Sequence, residues 1–180
     1  MSKIYVDEIA GIASPSTVAI PGHVIQVVSS TKTDTQSQTG LTWTDVSDLS
    51  VNITPTSTTS KILVTINLCM GTSEYQSFAR LLRDSTSIFV NASPSNRAQV
   101  TLAMGGGSSA AVSQYRVENA SMTYLDSPAT TNQVTYKVQM AARADGTIYA
   151  YINRTGRDLD SADGYDTRGV SSITVMEIAG

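Results

Sequence analysis

The only cluster of carboxylates in this 180-residue chain is Asp158-Leu-Asp160-Ser-Ala-Asp163-Gly164-Tyr-Asp166. A hard cation such as calcium takes several oxygens from one loop, and closely spaced Asp residues around a Gly can supply them. The spacing departs from an EF-hand. Asp163 holds the sixth position, where that loop has its Gly; Gly164 comes seventh, and Gly169 stands where the closing Glu belongs. Two readings of Asp158, Asp160, Asp163 and Asp166 stay open: a cation loop, and a solvated loop before the last strand.

Other chemistries fare worse. Nucleophilic catalysis needs a base beside its nucleophile, yet His23 is the only histidine and Cys69 the only cysteine. His23 follows Pro21-Gly22 and reads as a strand-entry or subunit-contact residue; Cys69 ends the apolar ILVTINLC and reads as a buried structural thiol. Glycoside hydrolysis needs two carboxyls across a cleft. Glu74, Glu118, Asp126 and Asp145 fall in separate loops or strand ends, and no spacing pairs them. Gly105-Gly106-Gly107-Ser108-Ser109 lacks the Gly-Lys-Ser/Thr ending of a phosphate loop and any following helix, so it reads as a connection between strands. Tyr115, Tyr124, Tyr149 and Tyr151 offer flat faces on which a saccharide could stack, or simply core and interface area. The expectation is a protein that is not an enzyme and holds no cofactor.

Composition narrows the partners. A net charge of -3 and a pI near 5.0 give no field that would gather phosphates, and Lys and Arg form no stripe, so nucleic acid is not an expected partner. The opening residues, with Lys3, Asp7 and Glu8, lack the layout of a signal peptide, and no run approaches membrane-spanning length. A soluble protein made in the cytoplasm, with no membrane partner, is expected. Charged residues make up only 15% of the chain, against about 25% in ordinary domains. Ser and Thr fill the gap, which favours an all-β protein with a hydroxyl-covered exterior.

Alternation supports this. Leu49, Val51 and Ile53 share one side of a strand, as do Ile62, Val64, Ile66 and Leu68, then Val134, Tyr136, Val138, Met140 and Ala142, then Ile148, Ala150 and Ile152. Asp145-Gly146 between the last two runs predicts a tight antiparallel hairpin. Further strands are expected at 23–29, 77–83, 87–91, 97–104, 111–117, 120–125 and 172–178, with little helix. About ten short strands at this spacing suit a sandwich, jelly roll or small barrel.

Residues 1–22 read differently. Pro15 and Pro21 in GIASPSTVAIPG, after a strand-like KIYV, disfavour both helix and an internal strand, so this segment is expected to be an extended arm ahead of a domain at 23–180. Its Val6 to Gly11 repeats, as V-x-E-I-A-G, the pattern that ends the chain at Val175 to Gly180. A β-favourable extended segment can add to the open sheet edge of a partner. Coincidence or old duplication accounts for the match equally well.

The run Trp43-Thr-Asp-Val to Pro55, continuing into Ser60-Lys-Ile-Leu-Val64, resembles C-terminal domains of tail-fibre-like virion proteins of aquatic bacteriophages. Leu81 to Thr86, Leu125 to Pro128 leading to Val134 to Gln139, and Ser172 to Ile178 match in order, so the resemblance spans about 23–180. It implies a jelly-roll-like antiparallel β-sandwich that assembles as a homotrimer on a phage particle, with its first and last strands close together. Relatives usually follow a fibre shaft, and no shaft segment precedes this domain here. That favours a short capsid-decorating knob, a cement or head-fibre protein, whose arm grips the major capsid protein or a tail or head-fibre adaptor. Ile4, Tyr5, Val6, Ile9, Val18 and Ile20 are the expected anchoring residues. The alternative is a short fibre tip that binds a host surface glycan through loops 71–76, 105–110 and 156–168. Either reading puts the protein on the virion surface after synthesis in the bacterial host cytoplasm.

Overall fold

The computed structural model describes residues 20–92 and 95–180. Its strands are β1 (Val24–Lys32), β2 (Gln36–Thr39), β3 (Thr44–Ile53), β4 (Lys61–Thr72), β5 (Gln76–Arg83), β6 (Thr86–Ile88), β7 (Leu102–Gly105), β8 (Val117–Asp126), β9 (Val134–Ala142), β10 (Tyr149–Ile152) and β11 (Ser171–Ile178). The one helix among the described residues, α1 (Ala110–Ser113), is a single turn. Among the described residues all pairings are antiparallel, in two sheets. In the first, β1 pairs β11, β11 pairs β4, and β4 pairs β8 along its far side, while β10 and β2 continue the sheet beside the end of β4. The second runs β3-β9-β5, with β6 and β7 both on β5.

The alternating residues meet between these sheets. Leu49, Ile62, Ile66, Leu68, Leu81, Val138, Met140, Ala150, Ile152, Ile173 and Val175 are fully buried and form one cluster. Each large aliphatic side chain so buried contributes about 1.5–3 kcal/mol, which is why a period of two holds strands face to face. The architecture is the expected all-β antiparallel sandwich, with first strand β1 against last strand β11 in register from Val27↔Met176 to Lys32↔Ser171.

Four local expectations need correction. The Asp145-Gly146 turn forms, with Gly146 at φ 75°, but it joins no hairpin: β9 pairs β3 and β5, whereas β10 pairs β2 and β4. Asp-Gly reports a local backbone preference; it carries no information about which sheet the next strand joins. Residues 111–116 are not a strand; α1 turns there, with the Ser113 and Gln114 amides donating to the Ser109 and Ala110 carbonyls, and only Val117 of the expected 111–117 is extended, as the start of β8. The strand expected at 97–104 shrinks to β7, and the one expected at 87–91 shifts and shortens to β6. Conversely β2, Gln-Ser-Gln-Thr, escapes hydrophobic patterning because it is an edge strand with no apolar residue of its own.

Strand β4 defines two poles. At its start, Lys61 lies opposite Ile178, Ile178 lies opposite Val24, and the Gly22 amide donates to the Ala179 carbonyl at 2.9 Å. At its end, Gly71 and Thr72 lie opposite Tyr151 and Ala150. Residues 20–23 and 178–180 therefore share one pole, and the loops that follow β4 and β10 share the other.

Candidate functional site

The three loops singled out for recognition converge at the second pole. The Tyr75 amide donates to the Gly107 carbonyl at 2.9 Å and the Ala110 amide donates to Glu74 Oε1 at 3.1 Å, joining loop 71–76 to loop 105–110. The Arg157 amide donates to the Gln114 carbonyl at 3.0 Å, joining loop 156–168 to the end of α1. Close approach requires glycine here. A Cβ on Gly106 would stand 2.6 Å from Thr72 Cγ2 and 2.9 Å from the Tyr75 carbonyl oxygen, and one on Gly71 would stand 2.6 Å from the Arg154 carbonyl oxygen. The Gly-rich stretch is thus a packed junction of loops, which its composition did not reveal.

Aromatic rings collect at this pole. Tyr149 and Tyr151 stack with centroids 6.0 Å apart, Tyr115 meets Tyr165 edge-on at 5.5 Å, and guanidiniums of Arg143, Arg154 and Arg157 lie over Tyr75, Tyr151 and Tyr115. Tyr151 is buried beneath Arg154, while Tyr149, Tyr115 and Tyr165 remain exposed. Tyr124 lies apart on β8, stacked with Phe89 at 4.8 Å.

The four aspartates of the candidate cation loop are directed mainly at arginines. Asp158 accepts from Arg154 at 2.5 Å and from Arg168 Nε at 2.7 Å. Burial alone would raise its pKa, but those two hydrogen bonds outweigh it and hold the carboxyl below the ordinary range. Asp163 takes the backbone N–H of Tyr165 and the Arg157 guanidinium, which lower it too. Asp166, with its side chain 2% exposed, stands 3.1 Å from Arg157 without the alignment of a hydrogen bond. Asp160 is exposed. Among the described residues no three His, Cys, Asp or Glu side chains come together as a cation-binding set. Asp158, Leu159, Asp160, Ser161, Asp166 and Arg168 line an open cleft of about 350 Å³.

The remaining candidates are dispersed. Asp126 sits at the far end of β8 from Glu118, hydrogen-bonded to Arg83 and Tyr136. Glu118 pairs with Arg116, and Asp145 lies 3.5 Å from Arg143. His23 contacts the backbone of Ile20 through Nδ1 at the entry to β1. Cys69 is a buried free thiol, raised in pKa by its burial. Of the anchoring residues, Ile4, Tyr5, Val6, Ile9 and Val18 lie outside the described residues; Ile20 is exposed at the first pole.

Hydrophobic patterning missed the buried polar groups. Glu177 is fully buried and accepts from Gln26 at 2.6 Å and from the Thr56 amide and hydroxyl at 2.7 Å, tying loop 54–60 to β11. Its position between Val175 and Ala179 on the inward side was readable; its partners, over a hundred residues away in sequence, were not.

No protein-family model matches the chain, and no curated protein matches it.

Proposed function

We propose that this chain is a non-enzymatic structural protein of a bacteriophage surface: a trimeric jelly-roll-like knob that grips the capsid through residues 1–22 and reinforces it by covering junctions between shell subunits. One observation carries the reading. Residues 20–23 enter the sandwich at one pole, bonded to the end of β11, and the three packed loops crown the opposite pole, with the twelve residues of β4 between them. A segment leaving that first pole can be held by a shell while the loops face outward. The resemblance over 23–180 supplies the particle and the three-fold assembly, and β-favourable residue types such as Ile4, Tyr5 and Val6 suit strand addition to a neighbour.

Image reconstruction of particles that carry the chain tests this. Three-fold knobs on the head, with the Ile20 end toward the shell, are expected; knobs absent from the head, or standing on their loop pole, would reject it. A chain lacking residues 1–22 should remain folded and trimeric but fail to join particles.

The convergence of loops 71–76, 105–110 and 156–168 beside an open polar cleft favours a second reading, a fibre tip that recognises a host glycan. Exposed Tyr149, Tyr115 and Tyr165 would stack sugar rings while Asp160 and Arg168 meet hydroxyls. A glycan array bound by the intact chain, with binding lost in Tyr149→Ala and Tyr165→Ala, would favour recognition over decoration.

A further inference from the structure

The two outer faces of the sandwich differ in kind. That of β3, β9 and β5 carries Asp45, Lys137 and Arg80, with Lys137 2.7 Å from Asp45 and Arg80 over the Trp43 ring at 4.2 Å. That of β1, β11, β4 and β8 carries almost no charge. Register lines its residues up across all four strands. Val27, Met176, Leu63 and Leu125 form one apolar row; beside it run Ser29, Thr174, Thr65 and Thr123, then Thr31, Ser172, Asn67 and Ser121. All twelve are at least partly exposed, Val27 at 55% and Leu125 at 52%. Lys61, opposite Ile178 at the first pole, is the charged residue at the margin, and exposed Val24 lies on the other side of Ile178 from it.

We propose that this face turns inward in the trimer, so that the same faces of three copies of the chain meet around the three-fold axis, and is the contact by which the knob assembles; this rests on the self-association in the proposed function. The chemistry selects a like partner. An apolar row loses water by meeting another apolar row. A hydroxyl both donates and accepts, so rows of Ser and Thr can satisfy rows of Ser and Thr without any complementary set evolving elsewhere. The lack of charge removes the repulsion that identical faces otherwise suffer. A charged partner would gain nothing here and would meet a better match on the opposite sheet. Size agrees: four strands about 4.8 Å apart and seven residues of β1 at about 3.3 Å each give a flat footprint of about 440 Å², over half of the roughly 800 Å² each partner gives in a standard interface, before side-chain relief is counted.

The test is the solution mass of the full chain and of Met176→Lys by light scattering, with circular dichroism to confirm folding. A second measurement, independent of that disruptive change, is the thiol-labelling rate of Thr174→Cys, with Ser50→Cys on the outer side of β3 as control. Expected are an oligomeric wild type, a folded monomeric Met176→Lys, and labelling of Thr174→Cys slowed at least about tenfold at assembly concentrations relative to dilution, with Ser50→Cys unchanged. An oligomeric Met176→Lys with Thr174→Cys labelled equally fast at both concentrations would overturn this face while leaving the trimer standing. A wild type that is monomeric throughout would overturn the inference and remove self-association from the proposed function as well.

Discussion

The hydroxyl of Tyr136 donates to Asp126 Oδ2 at 2.6 Å, so a side chain of β9 in one sheet is bonded to a side chain of β8 in the other. Arg83 of β5 reaches the same oxygen at 2.7 Å. Tyr136 is fully buried and Asp126 nearly so. Burial, reinforced by the Asp126 carboxylate, pushes the Tyr136 pKa far up, and the phenol stays a donor at any ordinary pH.

Removing one donor and removing the shared acceptor have different consequences. Tyr136→Phe leaves Asp126 with Arg83 and is expected to cost about 1 kcal/mol, the net worth of one hydrogen bond. Asp126→Ala strands a buried phenol and unpairs Arg83, at about 2–3 kcal/mol. Urea unfolding of both variants checks the order; equal losses would show that the tie does not span the sheets as described.

Asn153 should be as sensitive as any core aliphatic. Its side-chain NH₂ donates to the Lys32 and Asp34 carbonyls at 2.8 and 2.9 Å, its Oδ1 accepts from Ser171 at 2.7 Å, and its backbone sits at φ 61°. Asn153→Ala removes all three bonds and strains the left-handed backbone, for an expected loss of about 2–4 kcal/mol. Asn153→Gly keeps the loss of bonds but relieves the strain, and should melt higher than Asn153→Ala.

Packing between Cys69 and Gly169 predicts a coupled pair. A Cβ on Gly169 would overlap Cys69 Sγ and stand 3.0 Å from its Cβ. Gly169→Ala is expected to cost about 1–3 kcal/mol through overpacking. Cys69→Ala removes the sulfur, so the same glycine change made in that background should cost less, by about 0.5–2 kcal/mol. Additive losses in the double-mutant cycle would refute the contact.

Acid should loosen the join between loop 54–60 and β11. Burial would raise Glu177, but the hydrogen bonds from Gln26 and Thr56 outweigh it and hold its carboxyl below the usual glutamate range. A folded pKa depressed below the unfolded one contributes stability that is complete above about pH 4.3 and is lost as the pH falls through the folded value. Asp45, held low by Lys137 and Gln139 against its own partial burial, acts in the same direction. Glu177→Gln should therefore be less stable than wild type at pH 7, with a smaller drop in melting temperature between pH 5 and pH 3. Parallel melting curves in acid for the two proteins would exclude Glu177 as a source of the acid lability.

Much of the molecule was legible in its residues because alternation is a property of a single strand. Ile62, Val64, Ile66 and Leu68 must share a side wherever β4 goes, and one water-averse side suffices to call for a second sheet. The same period also placed the outward row of Thr65 and Leu63, and sparse charge indicated a hydroxyl-covered exterior. Tertiary structure alone decided partners. Whether β10 would fold back on β9 or cross to β4 depends on which sheet edge lies open after Asp145-Gly146, and no local backbone preference contains that. Likewise Glu177 became a buried acceptor only when Gln26 and Thr56 arrived from distant strands, and Gly106 became a junction only when Thr72 and Tyr75 closed on it. Side-chain direction is set by neighbours along the chain; burial, charge pairing and the meeting of loops are set by neighbours across space.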